Sequence, residues 1–292
     1  MGAWRVFGHG HLGGTDRTEV DRLRRACEAA EHLDLKVELD EADHLDRPIH
    51  FLAAAADEVI GYAGLTAGDE AEACGMVHPS WQRRGIATAL LAELRGAAAS
   101  LERESILVIC EDAAPVALAW MQRLGARLES AERRMVAPLG ATAASRTGTD
   151  SPLEVRPATE TDHNTVVAII GEDFSDYPGE QRLVGLDAGQ LIGTLRLTES
   201  SRRTMIYGFV IDERRRGTRL GTRMLEAVMS RLRADGVPEV GLEVDPENIP
   251  AVRLYERFGF ETVTTYRYMR LAVMQPAPPG PGPAPGLRGA ER

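Results

Sequence analysis

The order of apolar and polar positions is most legible in the second half of the chain. From Met205 to Ile211 nearly every residue is apolar, in a run too short for an ordinary helix, which predicts a buried strand. Residues 222–232 then place Met224, Leu225, Val228, Met229 and Leu232 at helical spacing. Residues 239–244 form another apolar run, and 248–258 another amphipathic helix. Upstream, residues 153–157 read as a short strand, and Thr159 with Asp162 caps a helix carrying Val166, Val167, Ile169 and Ile170. Residues 182–186 and 191–195 flank Asp187, Ala188, Gly189 and Gln190, the spacing of a hairpin.

The first half repeats this order. It predicts a helix near residues 19–33, strands near 51–55 and 59–65, a helix at 88–101, a strand at 105–110 and a helix at 116–124. Hairpins followed by strand, helix, strand, helix imply an α/β fold on a mixed sheet with helices on both faces, not a doubly wound parallel sheet.

Each half has a corner between an apolar strand and a helix. In the first, Val77 leads to Gln82, Arg83, Arg84, Gly85, Ile86, Ala87 and Thr88; in the second, Val210 and Ile211 lead to Arg216, Gly217, Thr218, Arg219, Leu220, Gly221 and Thr222. The first amides of a helix have no intrahelical partner, so a basic, glycine-containing corner there is a cup for a phosphate. Gln82 and Arg216 are 134 positions apart (216 − 82), and Gly125 and Gly259 share that offset (259 − 125). Two landmarks in one register indicate an internal duplication.

At 292 residues, and roughly 100–200 residues per domain, two domains are expected, at residues 1–137 and 153–274. Residues 138–152 read as a linker, and the Pro/Gly-rich residues 275–292 as a disordered tail. A net charge of −10 argues against nucleic acid or an anionic membrane as partner. Cys27, Cys74 and Cys110 have no metal-ligand spacing and suggest a reducing cytoplasm. No metal is expected, and His9 and His11 read as part of a loose N-terminus. Trp81 and Trp120 are expected to pack, and Glu172, Asp173 and Asp176 to form a solvated helix end.

Gln82, Gly85 and Ala87, then Asn248, Ala251, Leu254, Tyr255, Gly259 and Phe260, with the opening Val155, Arg156, Pro157, Ala158, Thr159 and Asp162, resemble the GNAT superfamily of acetyl-CoA-dependent N-acyltransferases. The duplication is similar to that of its two-domain bacterial members. The resemblance implies tandem GNAT folds and acetyl-CoA as cofactor. Its pantetheine arm would enter a gap between splayed strands near Val210, Ile211 and Asn248, with its diphosphate on the corner. It implies an N-acetyltransferase in which a primary amine attacks the thioester directly. The acceptor is expected to be a small-molecule amine, or else a protein or peptide amine, and the protein a monomer or homodimer.

At the same offset Tyr255 matches Met121, and Asn248 matches Ala114. Tyrosine can protonate a leaving thiolate and methionine cannot, so catalysis is expected in the second half, with Tyr255 as acid and Glu243 as candidate base. Arg219 stands where the family prefers glycine, and either crowds the diphosphate or contacts a phosphate. The competing expectation is a non-catalytic acyl-CoA-binding or regulatory module.

Overall fold

A computed structural model describes residues 3–37, 39, 49–66, 70–140, 153–171, 179–199 and 203–274. The expected linker beyond Gly140, the expected tail, and Glu172, Asp173 and Asp176 lie outside them. The first half runs β1 (Arg5–His9), α1 (Gly14–Glu31), β2 (His50–Ala55), β3 (Glu58–Leu65), β4 (Glu72–Val77), α2 (Ile86–Ser100), β5 (Ser105–Glu111), α3 (Pro115–Arg123) and β6 (Arg127–Pro138). The second continues with β7 (Glu154–Pro157), α4 (His163–Ile170), β8 (Glu180–Asp187), β9 (Gln190–Glu199), β10 (Thr204–Ile211), α5 (Leu220–Ala234), β11 (Glu239–Val244), α6 (Ile249–Arg257) and β12 (Glu261–Ala272).

The chain forms two compact units, one of residues 1–130 with the chain from Arg267, the other of residues 131–266. In the first, strands follow the order β1-β2-β3-β4-β5-β12. Pairing is antiparallel from β1 to β4 and parallel between β4 and β5. Alternate side chains of β2 serve opposite faces: Phe51 and Ala53 join the core under α2 and α3, whereas Leu52 joins Val20, Leu23 and Cys27 under α1. The apolar stripe Ile86, Leu90, Leu91, Leu94 and Ala98 anchors α2. Full burial of one such leucine is worth about 1.5–3 kcal/mol.

The second unit has the order β6-β11-β10-β9-β8-β7, with β10 and β11 parallel and the other pairs antiparallel. Leu220, Met224, Leu225, Val228, Met229 and Leu232 of α5 meet Val252 and Tyr255 of α6 in its core. Thr159 and Asp162 form the expected capping box, ahead of α4.

Repeat and compact unit differ by one strand. β12, the last strand of the second repeat, brings Met269 and Leu271, with Val273 just beyond it, into the first core, and β6, the last strand of the first repeat, brings Met135 and Ala137, with Leu139 just beyond it, into the second. The compact units divide the chain after Ser130 and after Tyr266. The N-terminus also departs from expectation: Arg5–His9 is a strand paired with β2, and His9 Nδ1 lies 3.9 Å from Asp16. Trp81 and Trp120 pack against the first core, as expected.

Candidate functional site

The two corners share one backbone. A short 3₁₀ turn, Glu213–Arg215 in the second and Pro79–Trp81 in the first, is opened by a side chain that accepts from the backbone: Asp212 from the Arg214 N–H at 3.1 Å, His78 from the Ser80 N–H at 3.2 Å. The chain then passes twice through the left-handed region, at Gly217 (φ 79°) and Arg219 (φ 63°), and at Arg83 (φ 58°) and Gly85 (φ 81°). Each corner thus holds one glycine and one arginine at its two left-handed positions, in opposite order. Arg219 pays steric strain that Gly85 avoids.

The helices start immediately afterwards. The first intrahelical bonds beyond the corners run from the Arg223 N–H to the Arg219 carbonyl and from the Ala89 N–H to the Gly85 carbonyl. The amides of Leu220, Gly221 and Thr222, like those of Ile86, Ala87 and Thr88, therefore precede the helical ladder and open toward the corner. Strand, corner and α6 meet near Gly221, where a Cβ would make ordinary contacts of 3.6 Å with Ile211 and 3.9 Å with Leu254.

Beside each corner a parallel strand pair splays. β10 pairs with β11 only from Thr204 to Ile206, and β4 with β5 only at Glu72 and Ala73, although all four strands continue. Peptide groups of the diverging segments face a gap that an amide-bearing ligand can enter as an additional strand. The second gap alone is shaped by a bulge, between Tyr207 and Val210 on β10, where Gly208 has φ 55°. Gly193 on β9 accommodates it, since a Cβ there would stand 2.6 Å from the Val210 carbonyl oxygen. β4 pairs with β3 in regular register.

Tyr207 and Glu243 are the first residues beyond the paired part of the second gap, at its apex. The sequence reading named Glu243 but missed Tyr207, which no local pattern distinguishes from a core aromatic. Glu243 Oε1 accepts from Arg134 Nε at 3.1 Å and Nη2 at 2.7 Å, with its side chain 5% exposed. Arg134 in turn lies 4.8 Å from the Tyr266 ring centroid. The carboxylate is thus already engaged by a guanidinium within the protein. Arg134 sits on β6, outside the repeat that carries Glu243, so sequence order gave no sign of the pairing.

Tyr255 is buried on α6, with its ring 5.7 Å from that of Phe260. Burial pushes its phenol up to about 12, so it keeps its proton at neutral pH. Asn248 caps α6, its side chain accepting from the Ala251 N–H at 3.3 Å. Arg216 Nε donates to the Ile211 carbonyl at 3.1 Å, and Thr218 Oγ1 to the Arg215 carbonyl at 2.6 Å, tying the corner to the strand before it. Ile211 therefore presents a carbonyl already engaged, while Gly217, Thr218 and Arg219 are exposed.

The first corner is furnished differently. Arg84 lies back over Trp81, 4.7 Å from the ring centroid, and donates to the Ser80 carbonyl; Gln82 donates to Glu31 of α1 at 2.6 Å. Met121 and Ala114 occupy the places of Tyr255 and Asn248, as their numbering predicts (255 − 134, 248 − 134).

The family model described as the acetyltransferase (GNAT) family matches residues 17–126 and again 152–260. Similar proteins include the mycothiol acetyltransferases of Sanguibacter keddieii, 28% identical over 87% of this chain and 92% of that protein, and of Saccharomonospora viridis, 27% identical over 86% and 94%. Among solved structures, a GCN5-related N-acetyltransferase from Sphaerobacter thermophilus has a TM-score of 0.74 at 21% identity, covering 94% of this chain and 96% of that one. A tandem GNAT protein from the clavulanic acid biosynthesis pathway has a TM-score of 0.68 at 17% identity, covering 93% and 99%.

Proposed function

Because the chain belongs to the acetyltransferase (GNAT) family, and is an acyltransferase with two such folds, we propose that its second half moves acetyl from acetyl-CoA to the primary amine of a small molecule related to mycothiol. The observation that carries this reading is the bulged, splayed β10–β11 pair beside the α5 corner, followed by α6 with Tyr255; the first gap has no bulge on β4, and Met121 stands at the place that matches Tyr255. The substrate class comes from relatives named mycothiol acetyltransferase, matched along most of their length.

The residues present suit acetyl-CoA. Arg216, Gly217, Thr218, Arg219, Leu220, Gly221 and Thr222 would hold its diphosphate with amides and guanidinium groups. Val210, Ile211 and Asn248 would line the pantetheine arm. When bound, the cofactor supplies an acyl group activated as a thioester. Tyr255 would donate its proton to the leaving thiolate, and burial keeps that proton available well above neutrality. Glu243, at the apex and paired with Arg134, would orient the acceptor amine. The amine's departing proton would go to water.

The test uses the full chain with acetyl-CoA and desacetyl-mycothiol, following the acetylated product by mass spectrometry. Tyr255→Phe is expected to lower kcat about 100-fold, the low end for a general acid, with the KM for acetyl-CoA unchanged. The wild-type rate should show no alkaline loss attributable to this phenol until the pH approaches about 12, where half of it would be deprotonated. Absence of amine-dependent product, or full turnover by the phenylalanine variant, overturns the assignment.

A further inference from the structure

The chain contains a single lysine, Lys36. It lies just beyond α1, in a segment whose Leu35 and Val37 pack on the cluster beneath that helix. Asp34 donates its backbone N–H to Glu111 at the end of β5, at 3.1 Å, and Lys36 Nζ donates to the Tyr268 hydroxyl on β12, at 2.8 Å. The ammonium also stands 5.4 Å from the Tyr268 ring centroid. These contacts fix the half-buried amine at one place on the first unit.

That place is the apex of the first gap. β4 and β5 last pair at Ala73 and Val108; Cys74 and Ile109, the next residues, line a small cavity together with Lys36 and Glu72. By the repeat offset Ile109 corresponds to Glu243 (243 − 134) and Tyr268 to Arg134 (268 − 134). The second unit thus has a carboxylate paired with Arg134 at its apex, whereas the first has an ammonium there. We infer that Lys36 is an internal acyl acceptor, placed where an acyl thioester gripped by the first corner would be attacked.

The step balances without a further reactant. The Lys36 nitrogen forms an amide bond to the acyl carbon as the carbon–sulfur bond breaks. Of the two protons lost from the ammonium, one ends on the leaving sulfur and one in solvent. Acylation removes the positive charge from beside the Tyr268 ring and leaves no second amine at the apex, so the first unit reacts once and stops.

The experiment uses the full-length Tyr255→Phe variant, so that failure here and failure of the second-half assignment are separable. It is incubated with acetyl-CoA without added amine, digested, and mapped for acetyl-lysine at residue 36. Nearly complete modification is expected, at least about tenfold faster than in urea-unfolded chain, the gain of holding amine and thioester together. An Arg83→Glu, Arg84→Glu variant should slow it, and excess CoA should protect Lys36 in the unaltered corner, so the result does not depend on that variant folding. An unmodified Lys36, modification no faster than in the unfolded chain, or indifference to excess CoA overturns the inference.

Discussion

The two gaps are copies in backbone and opposites in chemistry. Both follow a parallel pair that comes apart, both end beside a corner with two left-handed residues, and both lead into a fifteen-residue helix. The second adds a bulge, a buried phenol on the next helix and a carboxylate at its apex; the first has regular pairing, methionine and lysine at those places. Duplication preserved what backbone geometry requires and released what side-chain chemistry requires. The fold of a corner tolerates many side chains, while acid catalysis depends on one hydroxyl in one place.

The broadest way to break the comparison is to deny each unit its borrowed strand. Ending the chain after Tyr266 deletes Met269, Leu271 and Val273 from the first core. Each such side chain is worth about 2–5 kcal/mol, against a whole-domain stability of about 5–15 kcal/mol. Hydrogen exchange should show β1 to β5 losing protection first, with β7 to β11 retaining it longer. Equal loss in both units would mean that they are not separately cooperative.

A smaller effect sharpens the contrast between apices. Glu243→Gln removes the carboxylate that accepts two hydrogen bonds from Arg134, and breaking such a pair costs about 3–5 kcal/mol. Replacing both residues, Glu243→Leu with Arg134→Leu, removes both charges together and should recover most of that stability. Activity should not recover in the double variant, because the acceptor's ammonium has lost its carboxylate. Recovery of turnover along with stability, in a denaturant titration run beside a rate assay, would reduce Glu243 to a purely structural role.

What could be read beforehand follows how local each feature is. The corners, the helices behind them and the hairpin of β8 and β9 were legible because glycine placement, apolar spacing and a capping box act within a few residues. The exchange of β6 and β12 was not. Arg127 to Arg134 is mostly polar and conceals its strand, and nothing in Glu261–Ala272 says which sheet it completes. Arg5–His9 was missed because a short strand with glycine and histidine has the composition of a loose end; its pairing with β2 is a tertiary fact. Lys36 and Tyr207 gain their meaning only from the place where two strands stop pairing. Arg219 was legible as a departure from glycine, but its counterpart was not: Gly217 occupies the left-handed position that Arg83 holds in the first corner.

That reversal of glycine and arginine supports the finest test. Arg219→Gly relieves a left-handed residue worth about 1–2 kcal/mol but adds chain entropy worth about 0.5–1 kcal/mol. Stability should therefore change little, within about 1 kcal/mol in the direction of a gain. The effect on the donor separates the two readings of the side chain. If the guanidinium contacts a phosphate, its removal costs a charge-assisted hydrogen bond of about 1.5–3 kcal/mol, and the KM for acetyl-CoA rises about tenfold or more at unchanged kcat. If it crowds the diphosphate, the same substitution lowers KM. The matching change at the other left-handed arginine, Arg83→Gly, should leave turnover of free amine untouched, because that corner belongs to the half without Tyr255.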